Sequence, residues 1–344
     1  MMNSYLNILV FPIMLFTVSC QETGNYSYEE LDWLINSNFI RQGCYNGKDC
    51  IPSLENPNRS EVNGSSLNFL DDTERIVGIL DGEQAIAYPH SILDWHEIVN
   101  EDEYTISYCP LTGSALHLNS SREFGVSGLL YNSNLIMYDR KTDSYWPQLS
   151  LKSAAGKLQG TNLKLKPLIE TSWGNWKKLF PDTKVINANT GHSRNYDQYP
   201  YGDYKTCSSN QCSDFLYFPL ESLDDRLAAK DRVLGVIYSN EQKAYPIDKT
   251  SNPLIITDTI QGTPISVILS GVDDIAIAFE TSKILSIETW SLATGEIILK
   301  DESGDQYSIL GIGHDSAESL QIAPGFISYW FALATFYPTV EIET

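Results

Sequence analysis

The sequence predicts an α+β protein that is rich in strands, has few short helices and consists of two similar units in tandem, related by a pseudo-twofold axis. The main observation is that five residues recur at an offset of 157 positions. They are Arg75, Gly78, Ala87, Tyr88 and Pro89 in the first unit, and Arg232, Gly235, Ala244, Tyr245 and Pro246 in the second. Trp173 and Pro181 return at the same offset as Trp330 and Pro338. Both units therefore need the same packing residues at the same places.

The repeat divides the chain into five segments. They are a signal peptide over residues 1–20, an amino-terminal lead-in with a small disulfide loop over 21–74, a first unit over 75–185, a connection over 186–231 and a second unit over 232–344. With 344 residues, 42% of them hydrophobic, the chain has enough apolar side chains to give both units a packed core.

The amino terminus is typical of an export signal. Residues 6–18 are apolar, are too short to span a bilayer comfortably, and end at Ser19 and Cys20 before a polar stretch. The pattern resembles a bacterial lipoprotein signal, in which Cys20 becomes the lipidated first residue. Thr17 stands where leucine is usual and the apolar stretch is not preceded by Lys or Arg, so ordinary secretion and an uncleaved anchor stay open. We expect a domain in the cell envelope that is tethered to a bacterial membrane by lipid.

The six cysteines agree with an exported protein. Cys44 and Cys50 flank a polar loop, and so do Cys207 and Cys212. A zinc site is the alternative, but its cysteines are usually closer together and have further Cys or His nearby. We therefore expect two disulfides, one within each close pair, each closing a small loop and contributing about 2 kcal/mol. Cys109 is then a free thiol.

Turn residues and alternation predict the strands around the candidate site. Asp81-Gly82 between two apolar runs is a strong hairpin signal, and Ser239-Asn240 takes the corresponding place in the second unit. Residues 104–109 alternate between apolar and more polar side chains, which predicts a strand with Cys109 at its end, on the less apolar face. A turn should follow, because the next residue is a proline, which cannot donate to a sheet ladder.

Four segments have helical spacing or good helix formers. They are SYEELDWLIN near residue 30, WGNWKKLF near 176, LESLDDRLAAK near 225 and SYWFALATF near 332. The segments near 176 and 332 take corresponding places in the two units and should close them. The segment near 225 is expected to form a helix that ends the connection.

The charge of the chain excludes one class of partner. There are 23 Lys and Arg residues against 44 Asp and Glu residues, which gives a net charge of -21. Such a surface repels phosphate backbones and anionic lipid headgroups, so nucleic acid is not expected to bind. The acidity otherwise indicates only a soluble surface.

Residues that occur in only one unit are the functional candidates, because a repeated fold needs its packing residues twice but a reaction usually needs one site. His96 and Cys109 lie in the first unit, and the second unit has Pro253 and Ser270 in their places. Proline and serine cannot replace an imidazole and a thiol. We predict one asymmetric site in the first unit, in which Cys109 and His96 act together.

Several motifs resemble those of one bacterial family. The motifs are KDCIPSLENP, AYPHSILDWHEIVN, YCPLTGSA, FGVSGLLYNSNLIMYDR and SYWPQL. From about residue 44 to the carboxyl terminus the chain is similar to the family called domain of unknown function 3179. The resemblance implies no established activity. The recurring pattern of the family matches this chain at His96, Glu97, Asn100, Cys109, Pro110, Gly113, Ser114, Gly125, Gly128, Asn132, Asp139, Arg140 and Trp146. Many members of that family have cysteine where this chain has Thr112, which counts against a dithiol redox mechanism here.

Each candidate residue also has a purely structural interpretation. Cys109 could be a small buried apolar residue, and His96 could be held by hydrogen bonds at the end of a short helix. Met137 lies in the apolar run LIMY, which is typical of a core. The glycines nearby fit neither a phosphate loop nor a GxSxG nucleophile elbow, so a serine hydrolase is not indicated.

Three classes of function stay open. In the first, Cys109, His96 and Met137 hold a thiophilic metal such as copper, or serve a redox reaction. In the second, Cys109 is a catalytic nucleophile whose thiolate fraction and proton transfers depend on His96. In the third, the protein is a non-enzymatic envelope module whose aromatic residues, 11% of the chain, line a cleft for a small molecule or a glycan.

Overall fold

Strands dominate the computed structural model, which describes residues 28–205, 215–247 and 250–343. Cys20, Cys207 and Cys212 lie outside the described residues, so the predicted lipidation site and the predicted second disulfide fall outside them too. Among the described residues, no helix has both the length and the apolar character that crossing a membrane requires.

By its contacts the chain divides into residues 1–31 and residues 32–344. In the first of these, the described part contains a 3-10 helix over Tyr28–Glu30. The second contains every sheet that the described residues form, and all that follows concerns it.

The lead-in and the first unit contain thirteen strands and two α-helices within the described residues. The strands are β1 (Ile40–Gln42), β2 (Leu54–Glu55), β3 (Arg59–Glu61), β4 (Arg75–Asp81), β5 (Gln84–Pro89), β6 (Ile98–Asn100), β7 (Thr105–Cys109), β8 (Ser114–Leu118), β9 (Phe124–Tyr131), β10 (Asn134–Asp139), β11 (Tyr145–Pro147), β12 (Ile169–Ser172) and β13 (Lys184–Ile186). The α-helices are α1 (His90–His96) and α2 (Trp173–Leu179), and 3-10 helices cover Ser37–Phe39, Ser65–Leu67 and Gln148–Ser150.

The second unit contributes eleven more described strands and one α-helix. They are β14 (Arg232–Ile237), β15 (Gln242–Pro246), β16 (Leu254–Ile260), β17 (Thr263–Ser270), β18 (Ile275–Glu280), β19 (Ser286–Ser291), β20 (Glu296–Lys300), β21 (Gln306–Ser308), β22 (Gln321–Ile322), β23 (Gly325–Tyr329), α3 (Trp330–Phe336) and β24 (Glu341–Ile342). Six sheets and few short helices are consistent with the predicted α+β class.

Both predicted hairpins are present. In the first unit β4 and β5 pair antiparallel from Ile76 with Pro89 to Asp81 with Gln84, so the turn lies one residue later than predicted. Gly82 has a φ of 59°, which a glycine adopts readily. In the second unit β14 and β15 pair antiparallel, and their connection contains the predicted turn residues.

The hairpins lie in two sheets with the same strand pairing. The first has the order β12-β4-β5-β13-β3 and the second the order β23-β14-β15-β24. In each, the hairpin pairs antiparallel with a strand before the closing helix and parallel with a strand after it. The partners correspond at the 157-residue offset, since Ser172 pairs with Arg75 and Tyr329 with Arg232.

The remaining four sheets form two sets, one from the lead-in and first unit and one from the second unit. One set has the orders β2-β6-β7-β8 and β1-β9-β10-β11, and the other has β16-β17-β18-β22 and β19-β20-β21. In the first set Cys109 pairs with Ser114 at the end of β7, and in the second Ser270 pairs with Ile275 at the end of β17. Cys109 and Ser270 are thus each the last residue of a strand that pairs antiparallel with the next strand.

Strand β7 is buried on both faces. Tyr104, Ile106 and Tyr108 belong to one apolar cluster, and Cys109 belongs to another. The predicted alternation is present, but the less apolar face that carries Cys109 is also removed from solvent. Cys109 therefore lies inside the protein.

Two of the four predicted helices are present as α-helices. The segments near 176 and 332 form α2 and α3, each directly after a strand of its central sheet. The prediction near residue 225 is wrong, because that segment forms no helix. The prediction near residue 30 is wrong as an α-helix, since only the 3-10 turns over Tyr28–Glu30 and Ser37–Phe39 form there. Neither 3-10 turn buries a residue, so no apolar contact extends it into an α-helix.

Glycine allows each closing helix to approach its sheet. A Cβ atom at Gly78 would lie 2.3 Å from the Trp176 ring, and one at Gly235 would lie 2.6 Å from Leu333 Cδ1. Trp176 and Leu333 are fully buried and belong to α2 and α3. Gly78 and Gly235 therefore each leave room for a buried side chain of the closing helix.

We expect Gly78→Ala and Gly235→Ala each to lower the free energy of unfolding by about 3 kcal/mol, because a buried side chain must move to admit the methyl group. Gly82→Ala is the control, since open space surrounds Gly82 and only its positive φ opposes a side chain, at about 1 kcal/mol. Urea unfolding followed by circular dichroism measures all three. Equal losses at Gly78 and Gly82 would contradict the packing argument.

Candidate functional site

His96 is the last residue of helix α1 and is fully buried. Its Nδ1 lies 2.8 Å from the carbonyl oxygen of Pro52 and its Nε2 lies 2.7 Å from the hydroxyl of Tyr196. Nδ1 therefore donates to Pro52, and Nε2 accepts from Tyr196. Burial lowers the pKa of His96 to about 4, so the imidazole is neutral at neutral pH.

Cys109 ends strand β7 and is 1% exposed. Its thiol donates to the carbonyl oxygen of Ser133, with 3.8 Å between sulfur and oxygen. Burial, and then the neighbouring Glu97 carboxyl, raise the pKa of Cys109 to about 11. The thiol is therefore protonated at neutral pH, unlike the activated cysteines that have a lowered pKa.

Among the described residues, His96 and Cys109 have different hydrogen-bond partners. Both ring nitrogens of His96 are engaged by Pro52 and Tyr196, whereas Cys109 faces Glu97. Two rings lie beside that of His96, with 5.2 Å between ring centroids for His192 and 5.8 Å for Tyr196. Glu97 therefore lies near Cys109 and lines the same cavity, and joint action of Cys109 and His96 stays a prediction.

Met137 lies in strand β10, paired with Trp146 and Val126. It is fully buried in the same apolar cluster as Cys109. Within residues 28–205, 215–247 and 250–343, no group of three or more His, Cys, Asp or Glu side chains is arranged to hold a metal ion. The copper hypothesis therefore gains no support from these residues.

Glu97 and Cys109 line one cavity of about 230 Å³. Its other walls come from the disulfide loop, from β9 and β10, and from the connection after residue 186. The remaining lining residues are Gly43, Cys44, Ile51, Leu111, Val126, Gly128, Leu129, Leu130, Leu135, Tyr201, Tyr217 and Phe218. Most of these side chains are apolar or aromatic, so the cavity is an apolar space with one carboxyl group and one thiol.

Glu97 is held in an unusual backbone conformation. It caps the end of α1 with a φ of 57°, in the left-handed region that residues with a Cβ rarely adopt. Its amide donates to Leu93 at 2.8 Å and its carbonyl accepts from the amide of Tyr108 at 2.7 Å. Strained conformations of this kind occur often at functional sites. Here the strain turns the side chain away from the helix and into the cavity.

The carboxyl group of Glu97 is almost fully buried. Tyr201 donates a hydrogen bond of 2.9 Å to Oε1. Burial raises the pKa of Glu97 to about 7, with Tyr201 opposing the shift and Asp94 adding to it. Glu97 is therefore close to half ionised at neutral pH.

The disulfide predicted between Cys44 and Cys50 is present. Its loop is joined to strand β9, because the amides of Gly43 and Cys44 both donate to the carbonyl oxygen of Gly128. A Cβ atom at Gly128 would lie 2.6 Å from the carbonyl oxygen of Gly47, so glycine is needed there. The disulfide loop thus forms one wall of the cavity.

Tyrosines of the connection form the opposite side of the cavity. Tyr217 is 46% exposed and stacks on Tyr204 with 5.1 Å between ring centroids. Tyr204 in turn donates to the carbonyl oxygen of Leu111, next to the turn that follows β7. The connection, which the sequence predicts to be irregular, therefore covers the site in the first unit.

The sequence profile of one protein family matches residues 48–340 of the chain, which includes all the residues of the cavity except Gly43 and Cys44. The chain belongs to the family described as protein of unknown function (DUF3179). No curated protein and no solved structure matches the chain.

In this DUF3179 chain the sequence predicts Cys109 as a site residue and matches Glu97 only to the family pattern, whereas Tyr201 is not among the candidates. Glu97 was within reach, because it stands beside His96 in the motif run DWHEIVN. Tyr201 had no such signal, since it lies in a segment without periodicity, about one hundred residues later in the chain.

We expect the Cys109 thiol to react slowly with iodoacetamide at pH 7, and about tenfold faster for each unit of pH up to 9.5, because its pKa is raised to about 11. His96→Asn should leave this rate unchanged, since the imidazole is engaged elsewhere. Glu97→Gln should increase it, because removing a neighbouring negative charge lowers the thiol pKa. Mass spectrometry of the Cys109 peptide measures the rate. A plateau below pH 9, or a strong effect of His96→Asn, would restore His96 as the activating partner.

Proposed function

We propose that this protein is an exported binding protein whose first unit holds a small, largely apolar ligand in the cavity between Glu97 and Cys109. The observation that supports this most is that the cavity brings the asymmetric cysteine and a buried carboxyl group together inside an otherwise apolar wall. Ligand sites are typically concave, mostly apolar and equipped with a few polar groups of this kind.

The size of the cavity suits a ligand somewhat larger than benzene. A cavity of about 150 Å³ lined by apolar side chains can hold benzene, and this cavity measures about 230 Å³. Burying about 200 Å² of apolar ligand surface would gain about 5 kcal/mol before the cost of association. A ligand with one ring and a short polar arm matches both the volume and the two polar groups.

We expect indole, a neutral apolar probe, to bind the protein, and Leu130→Trp to weaken that binding at least tenfold because the larger side chain fills the cavity. Leu130 lines the cavity and is only partly buried, so the protein should tolerate the change. Leu223→Trp is the control, because Leu223 is 68% exposed and outside the cavity. Isothermal titration calorimetry measures the affinities, with thermal unfolding as a check on folding. Equal affinities for both variants, or no binding to the unsubstituted protein, would overturn the proposal.

Thiol catalysis is a second candidate, favoured by the proximity of Glu97 to Cys109. A group with a pKa of about 7 is suited to proton transfer at neutral pH. In such a reaction the Cys109 sulfur bonds to a carbonyl carbon of the ligand, its proton passes to the Glu97 carboxylate, and the carbonyl electron pair moves to oxygen. This candidate requires Glu97→Gln to slow the alkylation of Cys109, which is the opposite of the effect expected for a binding protein.

We also propose export and lipid anchoring at Cys20. The Cys44–Cys50 disulfide supports an oxidising compartment, since disulfides are rare in the cytosol. Cell fractionation with Cys20→Ser tests the anchor: the unsubstituted protein should follow the membranes and the variant should not. If both follow the membranes, an uncleaved anchor replaces the lipid, and if neither does, ordinary secretion applies.

The tandem duplication belongs to the same proposal. It is supported by the two central sheets, which pair corresponding residues, and by Gly78 and Gly235, which meet the closing helices in the same way. It gives the site its asymmetry, since Ser270 in the second unit donates to Asp273 Oδ2 where Cys109 faces a cavity. Unequal losses of stability in Gly78→Ala and Gly235→Ala would count against it.

A further inference from the structure

We infer that the ligand of the Glu97 cavity is a small amine, with an ammonium group bound by Glu97 and an apolar or aromatic body against the cavity wall. This inference rests on the proposed binding function and specifies its ligand class. It depends on the hydrogen bonds of Glu97, on its charged neighbours and on the aromatic lining.

Glu97 has a carboxylate oxygen to offer. Tyr201 donates a hydrogen bond to Oε1, and this is the side-chain hydrogen bond that Glu97 forms within the described residues. Oε2 belongs to a side chain that lines the cavity and is more than nine-tenths buried. A buried carboxylate is costly unless its oxygens receive hydrogen bonds or a counter-charge. A ligand that donates to Oε2 therefore completes the site.

The groups around Glu97 favour a cation over a neutral donor. Cys109 and Tyr201, which face it, are both protonated at neutral pH and bring no positive charge. Asp94, itself buried, adds negative potential at Glu97. Asp94 also forms an ion pair with Lys205, whose Nζ lies 2.7 Å from Oδ2 of Asp94. An ammonium would form a charge-assisted hydrogen bond with the carboxylate, which is about twice as strong as a neutral one.

The walls of the cavity suit the body of such a ligand. Tyr201, Tyr217 and Phe218 line it together with leucine side chains. Aromatic faces attract cations as well as apolar groups, so they serve both parts of an arylalkyl amine. By proportion to benzene in a cavity of about 150 Å³, about nine non-hydrogen atoms fit here. The net charge of -21 would also draw cations toward the protein.

The test compares three probes of similar shape on the full-length protein: 2-phenylethylamine, 2-phenylethanol and phenylacetate. At pH 8 we expect the amine to bind at least tenfold more tightly than the alcohol, and the anion to bind more weakly than both. At pH 5.5 the preference for the amine should fall, because Glu97 becomes protonated below its pKa of about 7 while the amine stays charged. Titration calorimetry provides the affinities.

The matched variant is Glu97→Gln, which keeps the shape of the side chain and removes its charge. It should bring the affinities for amine and alcohol to within about twofold of each other while the alcohol still binds. If the variant does not fold, the pH series on the unsubstituted protein decides the question. Alcohol binding without a preference for the amine would overturn this inference and leave the cavity proposal standing. Failure of every probe, indole included, would overturn both.

Discussion

Arg75 and Arg232, at corresponding positions of the two units, share one carboxylate, that of Asp274. Arg232 also reaches back to the first unit, where its Nη2 lies 3.1 Å from Oε2 of Glu170 in strand β12. Arg232 and Glu170 are both buried, so removing either would leave an unpaired charge inside the protein, at a cost of about 3–5 kcal/mol. This ionic cluster joins the central sheets of the two units, because Arg232 lies in β14 and Glu170 in β12.

Helix α1 connects the ionic cluster to the site. His90 begins the helix with Nε2 3.2 Å from Oε2 of Glu170, and burial lowers its pKa to about 4, so it is a neutral partner of that carboxylate. The helix ends at Glu97, whose left-handed backbone costs about 1–2 kcal/mol for a residue with a Cβ. The end of α1 is held by the amide of Tyr108, which donates to the Glu97 carbonyl oxygen, and Tyr201 donates to the Glu97 carboxyl group.

The sequence predicted those parts of the structure that local patterns determine. Both hairpins, α2, α3 and the Cys44–Cys50 disulfide depend on nearby residues, and all are present. The helix expected near 225 is absent because helix formers alone do not stabilise a short helix; Leu227 and Ala229 of that segment pack against the core without it, and Leu223 is 68% exposed. The candidate site was predicted only in part. Tyr196 forms a hydrogen bond with His96, and Tyr201 donates one to Glu97. Both tyrosines come from the connection, which has no regular sequence pattern, so its path depends on tertiary contacts.

The second unit contacts the turn that follows Cys109 in the first unit. The turn after Cys109 is closed by Tyr329 of strand β23, whose amide donates to the carbonyl oxygen of Thr112 at 2.8 Å. A Cβ atom at Gly113 would lie 2.8 Å from the Tyr329 ring, so that ring packs directly on the turn. The second unit therefore helps to hold the turn beside Cys109 in place, and so contributes to the geometry of the candidate site.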